Sequence, residues 1–192
     1  MKLNKTNLLI FSLLVLAAAL YRAWADRPMG FAPQIAMALF AGSVIKDKKF
    51  AFLFPLASLF VSDIIYQLLY SMNLTGIKGF YSGQITNYIL FTSITVIGFF
   101  MNKQKVSHIL IGSLAGAVYY FIVSNLMVWI GGGWDINNQP YEKSFSGLML
   151  CFTEALPFFR WSLVATFLFN GVFFGTYYLM TRKQLQSEIK TA

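Results

Sequence analysis

Long apolar runs that contain almost no charged residues dominate this sequence. A run of about 18 or more apolar residues is typical of a helix that crosses a bilayer. Hydrophobic residues make up 57% of the 192 positions and charged residues only 11%, whereas an ordinary soluble domain has about 25% charged residues. The chain is therefore predicted to be an all-α integral membrane bundle of six transmembrane helices. The six segments are residues 8–24, 29–45, 50–72, 84–101, 108–130 and 159–180.

The basic residues between these segments favour one orientation in the membrane. Cytoplasmic loops of membrane proteins carry an excess of lysine and arginine. Ten of the 15 basic residues fall on one side of the predicted topology, and five fall on the other. The prediction is a bacterial inner-membrane protein with both termini in the cytoplasm. The cytoplasmic ten are Lys2, Lys5, Lys46, Lys48, Lys49, Lys103, Lys105, Arg182, Lys183 and Lys190; the outer five are Arg22, Arg27, Lys78, Lys143 and Arg160.

The first segment allows two interpretations. It has a basic start, an apolar centre and the small residues Ala23 and Ala25 at its end, which is also the pattern of a cleaved signal peptide. A retained first helix is the favoured interpretation. Removal of the segment would leave the topology of the other five unchanged.

No stretch has the composition of a separate soluble domain, so residues 1–192 are predicted to form a single polytopic membrane domain. Residues 131–158, predicted to lie outside, begin with a Gly- and Asn-rich stretch and then become apolar again. This apolar part is too short to span a bilayer, and Pro157 separates it from the last segment, because proline interrupts helices. A short interfacial or re-entrant helix is therefore expected before the last span.

Asp63 is the only acidic residue within the six apolar segments, and a charge there needs a partner. It follows Phe50 by 13 positions, which places it about 20 Å into a hydrocarbon core of about 30 Å. A charge at mid-membrane costs roughly 2.5–3.5 kcal/mol, so such residues face a partner, a cavity or the bundle interior. Arg22, Arg27 and Arg160 are candidate partners on the outer side. Asp63 either locks helices together through such a pair or belongs to a ligand or ion site.

Other polar residues within the apolar segments are concentrated toward the same outer side. Gln67 follows Asp63 by one helical turn, and Asn125 and Trp129 form a similar pair near the outer end of the fifth segment. Gln34 lies just inside the outer end of the second segment. Hydrogen bonds between helices are the favoured interpretation of Gln34 and Asn125, and an anchor at the headgroup level is the favoured interpretation of Trp129.

Small residues occupy the inner halves of the segments instead. Gly112 and Gly116 in the fifth segment, and Gly171 and Gly175 in the sixth, have a spacing that lets helices approach closely. The sequence thus predicts a bundle that is tightly packed toward the cytoplasm and has an outward-facing cavity. The predicted substrate-binding residues are Gln34, Asp63, Gln67, Asn125 and Trp129.

The residues that most catalytic sites need are absent from the sequence. His108 and Cys151 are the only histidine and the only cysteine, so no metal-binding motif can be drawn from these residue types. Asp63 has no second intramembrane carboxylate, and no nucleotide-binding motif occurs. We therefore expect no enzyme activity, no metal and no cofactor. The net charge of +8 is explained by membrane topology, so nucleic acid is not an expected partner.

At "RPMGFAPQIAMALFAGS", "FPLASLFVSDIIY", "SNLMVW" and "CFTEALPFFR" the chain resembles, over almost its whole length, a family of bacterial integral membrane proteins of unknown function. At greater distance, its size and six predicted spans are similar to the substrate-binding S components of energy-coupling-factor transporters. Those proteins have a small-molecule site near the outer face, and a patch of small residues packs on a transmembrane coupling subunit that works with ATPases. The resemblance implies such a patch at Ala17, Ala18, Ala19 and Ala23.

The functional hypothesis is a substrate-binding membrane subunit of a transporter for a small, vitamin-like molecule, with an outward-facing pocket. Its expected partners are membrane lipids, the small-molecule ligand and a transmembrane coupling subunit with its ATPases. The alternative is a structural or assembly membrane protein that has no ligand of its own. In that case the polar residues only hold the helices together.

The predicted topology can be measured with reporter fusions. Alkaline phosphatase is active only outside the cytoplasm, so a fusion after Asn137 should be active and a fusion after Lys48 inactive. Green fluorescent protein at the same two positions should give the opposite pattern. Phosphatase activity at Lys48 would show that the orientation is reversed.

Overall fold

A computed structural model describes residues 5–24 and 26–191 of the protein, and the side chains of residues 12–24 and 26–182. Within these residues the chain is helical and contains no strand, which confirms the predicted all-α class. Lys2 and Ala25 lie outside the described residues. The helices are α1 (Lys5–Ala23), α2 (Gln34–Val44), α3 (Lys48–Ser71), α4 (Gln84–Phe99), α5 (Val106–Ile130) and α6 (Phe145–Thr191).

Three of the helices are long and apolar enough to cross a membrane, which indicates a membrane protein. They are α3, α5 and the part of α6 from Phe145 to Arg182. The other helices of the described chain are shorter in their apolar parts: α2 has 11 residues and α4 has 16. Because a helix rises about 1.5 Å per residue, α2 alone is only about half as long as the hydrocarbon core is thick. Six complete spans are therefore not confirmed.

Helix α2 is the central helix of the bundle. Ten of its 11 residues are buried, and it packs against α3, α4, α5 and α6. The prediction that this segment becomes helical at residue 29 is wrong, because α2 starts at Gln34. Pro28 and Pro33 each lack the N–H that a helix interior requires, and Gly30 has a left-handed φ of +86°. Residues 26–33 therefore cross the end of the bundle without forming a helix.

The separate short helix expected before the last span is wrong. α6 runs without interruption from Phe145 to Thr191, and Pro157 lies inside it. Proline removes one backbone hydrogen bond and usually costs about 3 kcal/mol in a helix interior. In apolar surroundings the other backbone N–H and C=O groups cannot bond to water. A continuous helix therefore leaves fewer of them without a hydrogen bond than a broken helix would.

Glycines allow two helices to touch through their backbones. A side-chain carbon added at Gly42 would lie 2.9 Å from the Cα of Gly98, and one added at Gly98 would lie 3.0 Å from the Cα of Gly42. Each would also collide with a carbonyl oxygen of the facing helix, that of Thr95 or Leu39. The crossing of α2 and α4 therefore depends on both glycines.

The glycine pairs singled out from the sequence behave differently. A side-chain carbon at Gly116 would lie 3.0 Å from Leu39 Cδ1 of α2, which confirms a close helix contact at this glycine. One at Gly112 would lie 2.8 Å from Cε of Met101, which belongs to the loop between α4 and α5 and not to another helix. The same expectation is wrong for Gly171 and Gly175, where no atom of the described chain comes within 4 Å of an added carbon.

Gly98→Ala should destabilise the protein by about 1–3 kcal/mol, because the added methyl group forces α2 and α4 apart. The matched control is Gly175→Ala. No atom of a neighbouring described element lies within 4 Å of a carbon added there, so alanine should be neutral or stabilising by up to about 1 kcal/mol from helix propensity. Melting temperatures in detergent check both variants. Equal melting temperatures for the two would contradict the backbone contact between α2 and α4.

Candidate functional site

An ion pair and the hydrogen bonds to its carboxylate join three helices at the end of the bundle where α1 finishes. Asp63 of α3 is 1% exposed, and its Oδ1 accepts a hydrogen bond from Arg22 Nη1 of α1. This is the only ion pair between described side chains. The other carboxylate oxygen, Oδ2, accepts from Gln84 Nε2 at 2.7 Å and from the Tyr88 hydroxyl at 2.6 Å. Both oxygens of Asp63 are thus occupied by groups of this chain.

The last turn of α1 is fixed by the same cluster. The Arg22 side chain is 15% exposed, donates to Ser62 Oγ and lies over the Tyr66 ring at 5.5 Å from its centroid. The Arg22 carbonyl accepts from the Tyr66 hydroxyl at 2.6 Å and from Arg27 Nε at 2.7 Å. The last carbonyls of a helix have no hydrogen-bond partner within the helix. These two bonds supply partners for one such carbonyl at the end of α1.

A cavity of about 440 Å³ lies beside this cluster; we call it the Gln34 cavity. Its walls come from the segment between α1 and α2, from the starts of α2 and α4, from the end of α5 and from the middle of α6. Gly30 forms part of the rim, where a side-chain carbon would lie 2.5 Å from the Phe158 carbonyl oxygen. The lining residues are Arg22, Arg27, Met29, Gly30, Ala32, Gln34, Ile35, Asn87, Phe91, Tyr120, Phe121, Ser124, Asn125, Val128, Ala155, Phe158, Phe159 and Ser162.

Two of the predicted site residues line this cavity. Gln34 is 1% exposed, and neither its Oε1 nor its Nε2 has a hydrogen-bond partner in the described chain. Asn125 uses its Nδ2 to donate to the Phe121 carbonyl at 2.7 Å. The amide of Gln34 is therefore the polar group that most requires a further partner.

Asp63 lines a different and more open recess of about 400 Å³. Arg22 and Arg27 line both this recess and the Gln34 cavity, so the two arginines stand between them. The sequence predicted one cavity that contains Asp63 and Gln34 together. The structure instead places them on opposite sides of the arginines.

Gln67 lies in neither cavity. Its Oε1 accepts from the Phe80 amide at 3.4 Å, in the loop between α3 and α4. Gly79 of this loop approaches α3 so closely that a side-chain carbon would lie 2.6 Å from the Gln67 backbone nitrogen. Gln67 therefore holds this loop against α3.

Trp129 likewise binds a loop. Its Nε1 donates to the Glu142 carbonyl at 2.8 Å, and Lys143 Nζ lies 5.2 Å from the ring centroid. In the same loop, the Tyr141 hydroxyl donates to Glu154 Oε2 of α6 at 2.6 Å. Burial and this hydrogen bond raise the pKa of Tyr141. The residues between α5 and α6 are thus fastened to both helices.

Several residues of the site were not predicted. Arg22 and Arg27 were named only as candidate partners of Asp63, and the third candidate, Arg160, is exposed and lies over the Trp161 ring at 5.2 Å. Gln84 and Tyr88 had a usable signal, because two polar residues one helical turn apart opened the fourth apolar segment. The aromatic residues that line the cavity, which we call the aromatic wall, had no such signal, since aromatic residues occur throughout the sequence. They are Phe91, Tyr120, Phe121, Phe158 and Phe159.

The groups on the cavity are suited to holding a molecule. Guanidinium, amide and hydroxyl groups surround an aromatic wall, and such a mixture gives a ligand both orientation and apolar contact. Among the described residues, no three His, Cys, Asp or Glu side chains are grouped so that they could hold a metal ion.

The model of the family of unknown function DUF6580 matches residues 2–188. The chain belongs to this family. The predicted resemblance to a family of unknown function is thereby confirmed, whereas the more distant similarity to S components stays a hypothesis. No curated protein and no solved structure matches the chain.

Asp63→Asn should lower the free energy of unfolding by about 3 kcal/mol or more, because it leaves the Arg22 guanidinium inside the bundle without its counter-charge. Chemical unfolding in detergent, followed by circular dichroism, measures the change. The double variant Asp63→Asn, Arg22→Gln removes both charges and should recover most of the loss.

Asp63→Asn, Arg160→Gln is the control, because Arg160 lies away from Asp63 and its removal should rescue nothing. An Asp63→Asn single variant as stable as the wild type would mean that the ion pair does not support the fold.

Proposed function

We propose that this DUF6580 protein is the substrate-binding membrane subunit of a small-molecule transporter, and that its ligand occupies the Gln34 cavity. The observation that carries the proposal is the Gln34 amide, which is buried, has no partner in the described chain and belongs to a residue that lines the cavity. A buried polar group without a hydrogen bond costs about 1–3 kcal/mol. A ligand that hydrogen-bonds to this amide would remove that cost on binding.

The size and lining of the cavity support the same proposal. Its volume of about 440 Å³ lies within the roughly 300–1,000 Å³ typical of small-molecule sites. Phe91 and Tyr120 are stacked with their centroids 4.5 Å apart, and Phe121 and Phe159 also lie 4.5 Å apart. These rings offer apolar contact to the body of a ligand, while Gln34 and the arginines offer polar contact at one end.

The transporter hypothesis also requires an orientation. We take the six helices as one bundle in a bacterial inner membrane with both termini in the cytoplasm. The ends of α1, α3 and α5 and the starts of α2 and α4 then face outside, and the Gln34 cavity lies in the outer half. The unequal distribution of basic residues supports this orientation. Energy would come from a coupling subunit with ATPases, because the sequence has no nucleotide-binding motif.

A structural or assembly protein without a ligand is the second candidate. It is favoured by the Asp63 cluster, in which every carboxylate oxygen is bonded within the chain and three helices are tied together. This candidate accounts for Asp63 but leaves Gln34 unexplained. The two functions therefore differ in whether a change at Gln34 removes a small molecule that copurifies with the protein.

Gln34→Leu removes the unpaired amide and keeps a similar side-chain volume. The empty protein should become more stable by about 1–3 kcal/mol, because an unsatisfied polar group has been replaced by an apolar one. Small molecules that copurify with the wild type should be lost from this variant. Mass spectrometry of extracts from both purified proteins, with melting temperatures measured after extraction of bound molecules, checks the two effects together.

Thr95→Val is the matched control, because Thr95 is also buried with an unpartnered hydroxyl but does not line the cavity. It should keep every molecule that copurifies with the wild type. The contrary result is that the wild type copurifies only with lipids, and that Thr95→Val and Gln34→Leu retain these lipids equally. In that case the ligand-binding proposal fails and the structural function is preferred.

A further inference from the structure

The charges around the two recesses are not balanced. Arg22, Arg27 and Lys78 line one or both of them, and Asp63 is the only acidic residue that does so. Three cations therefore face one carboxylate, which leaves an excess of two positive charges. The Asp63 carboxylate is already committed to Arg22, Gln84 and Tyr88.

Arg27 is the cation on the Gln34 cavity that has no counter-charge. Its Nε donates to the Arg22 carbonyl at 2.7 Å, and its two terminal nitrogens reach the Phe31 carbonyl and the Tyr66 hydroxyl at 3.4 Å each. All three acceptors are neutral, and two of the bonds are long. No carboxylate of the described side chains lies within 4.0 Å of Arg27. Because a guanidinium has five N–H donors, donors remain for a further acceptor.

We infer that the ligand of the Gln34 cavity is an amphipathic anion whose charged group binds Arg27 and whose apolar body lies against the aromatic wall. This inference rests on the proposed function and adds the chemical class of the ligand. Carboxylate, sulfonate and phosphate groups match the planar fork of an arginine and accept two hydrogen bonds from it. Gln34 then contacts a second polar group of the same molecule.

The surroundings disfavour the other charge types. A cationic ligand would meet two guanidinium groups and no free carboxylate, because Asp63 lies beyond Arg22 in the other recess. A neutral ligand would leave Arg27 without a counter-charge in a partly buried place, where charges are screened less than in water. Lys78 lines the more open recess, so an approaching anion is attracted toward the two arginines.

Two fluorescent probes of nearly the same shape test this inference. 1-Anilinonaphthalene-8-sulfonate carries a sulfonate, and N-phenyl-1-naphthylamine is the same molecule without it. The protein is placed in nanodiscs of zwitterionic lipid, and titrations into empty nanodiscs give the background. The sulfonate probe should bind the wild type saturably and at least about tenfold more tightly than the neutral probe.

Arg27→Gln should weaken binding of the sulfonate probe by roughly 30-fold or more, which is the usual effect of removing one partner of a partly buried charge pair. Binding of the neutral probe should not change. Arg27→Lys keeps the charge but loses the fork, so it should give an intermediate affinity. Arg160→Gln is the matched control, because this exposed arginine lines neither recess, and it should bind both probes as the wild type does.

The wild-type comparison of the two probes needs no variant to fold, so it decides the inference by itself. Equal affinities for the two probes, or no saturable binding of the sulfonate probe, would overturn the anionic class. The proposed function would survive that result if small molecules still copurified with the wild type and were lost in Gln34→Leu. If no small molecule copurified with the wild type, or if Gln34→Leu kept it, the proposed function would be overturned instead.

Discussion

The buried charge of Asp63 is the constraint on which the end of the bundle where α1 finishes depends. Within a bilayer there is no water to solvate a carboxylate, so the chain must supply every partner itself. Arg22, Gln84 and Tyr88 do so from two other helices. Their positions fix where α1 ends and how α4 faces α3. Arg22 is therefore placed by the need to neutralise Asp63, and Arg27 is held beside it by the hydrogen bond to the Arg22 carbonyl.

The helices that could be predicted from the sequence are those whose apolar run coincides with an uninterrupted helix. α3 and α5 begin within two residues of the predicted starts and end within one residue of the predicted ends. The bounds of α2 and α6 differ from the predicted ones, because a run of apolar residues indicates burial and not backbone conformation. Residues 29–33 are apolar and belong to a turn beside two prolines, whereas Pro157 is accommodated within a helix. Hydropathy also cannot distinguish a span from a short helix surrounded by other helices, which is what α2 is.

The candidate site could be predicted only in part, for a related reason. Position along an apolar segment gives the depth of a residue in the membrane, and this indicated that Gln34, Asp63 and Asn125 lie toward one end. It does not give the direction in which a helix faces, nor which distant segment lies opposite. The partnership of Arg22 with Asp63 spans 41 residues, and only the packing of α1 on α3 decides between it and the other two arginines. Gln67 and Trp129 lie near the ends of α3 and α5, but their side chains bond to loops.

Gln34 and Arg27 line the same cavity, and together they support a ligand site more strongly than either residue does alone. Other buried polar atoms in the described chain also lack partners, among them the hydroxyls of Ser58 and Thr95. A hydroxyl in a helix needs only a rotation to reach a carbonyl one turn away, so such cases cost little to keep. An amide with both ends unpaired has no such local remedy, and a guanidinium without a counter-charge has none either. Departures from the usual rules of burial are expected at functional sites, and here two independent departures belong to residues that line the same cavity of about 440 Å³. A fold that needed only to hold its helices together would have no reason to keep both.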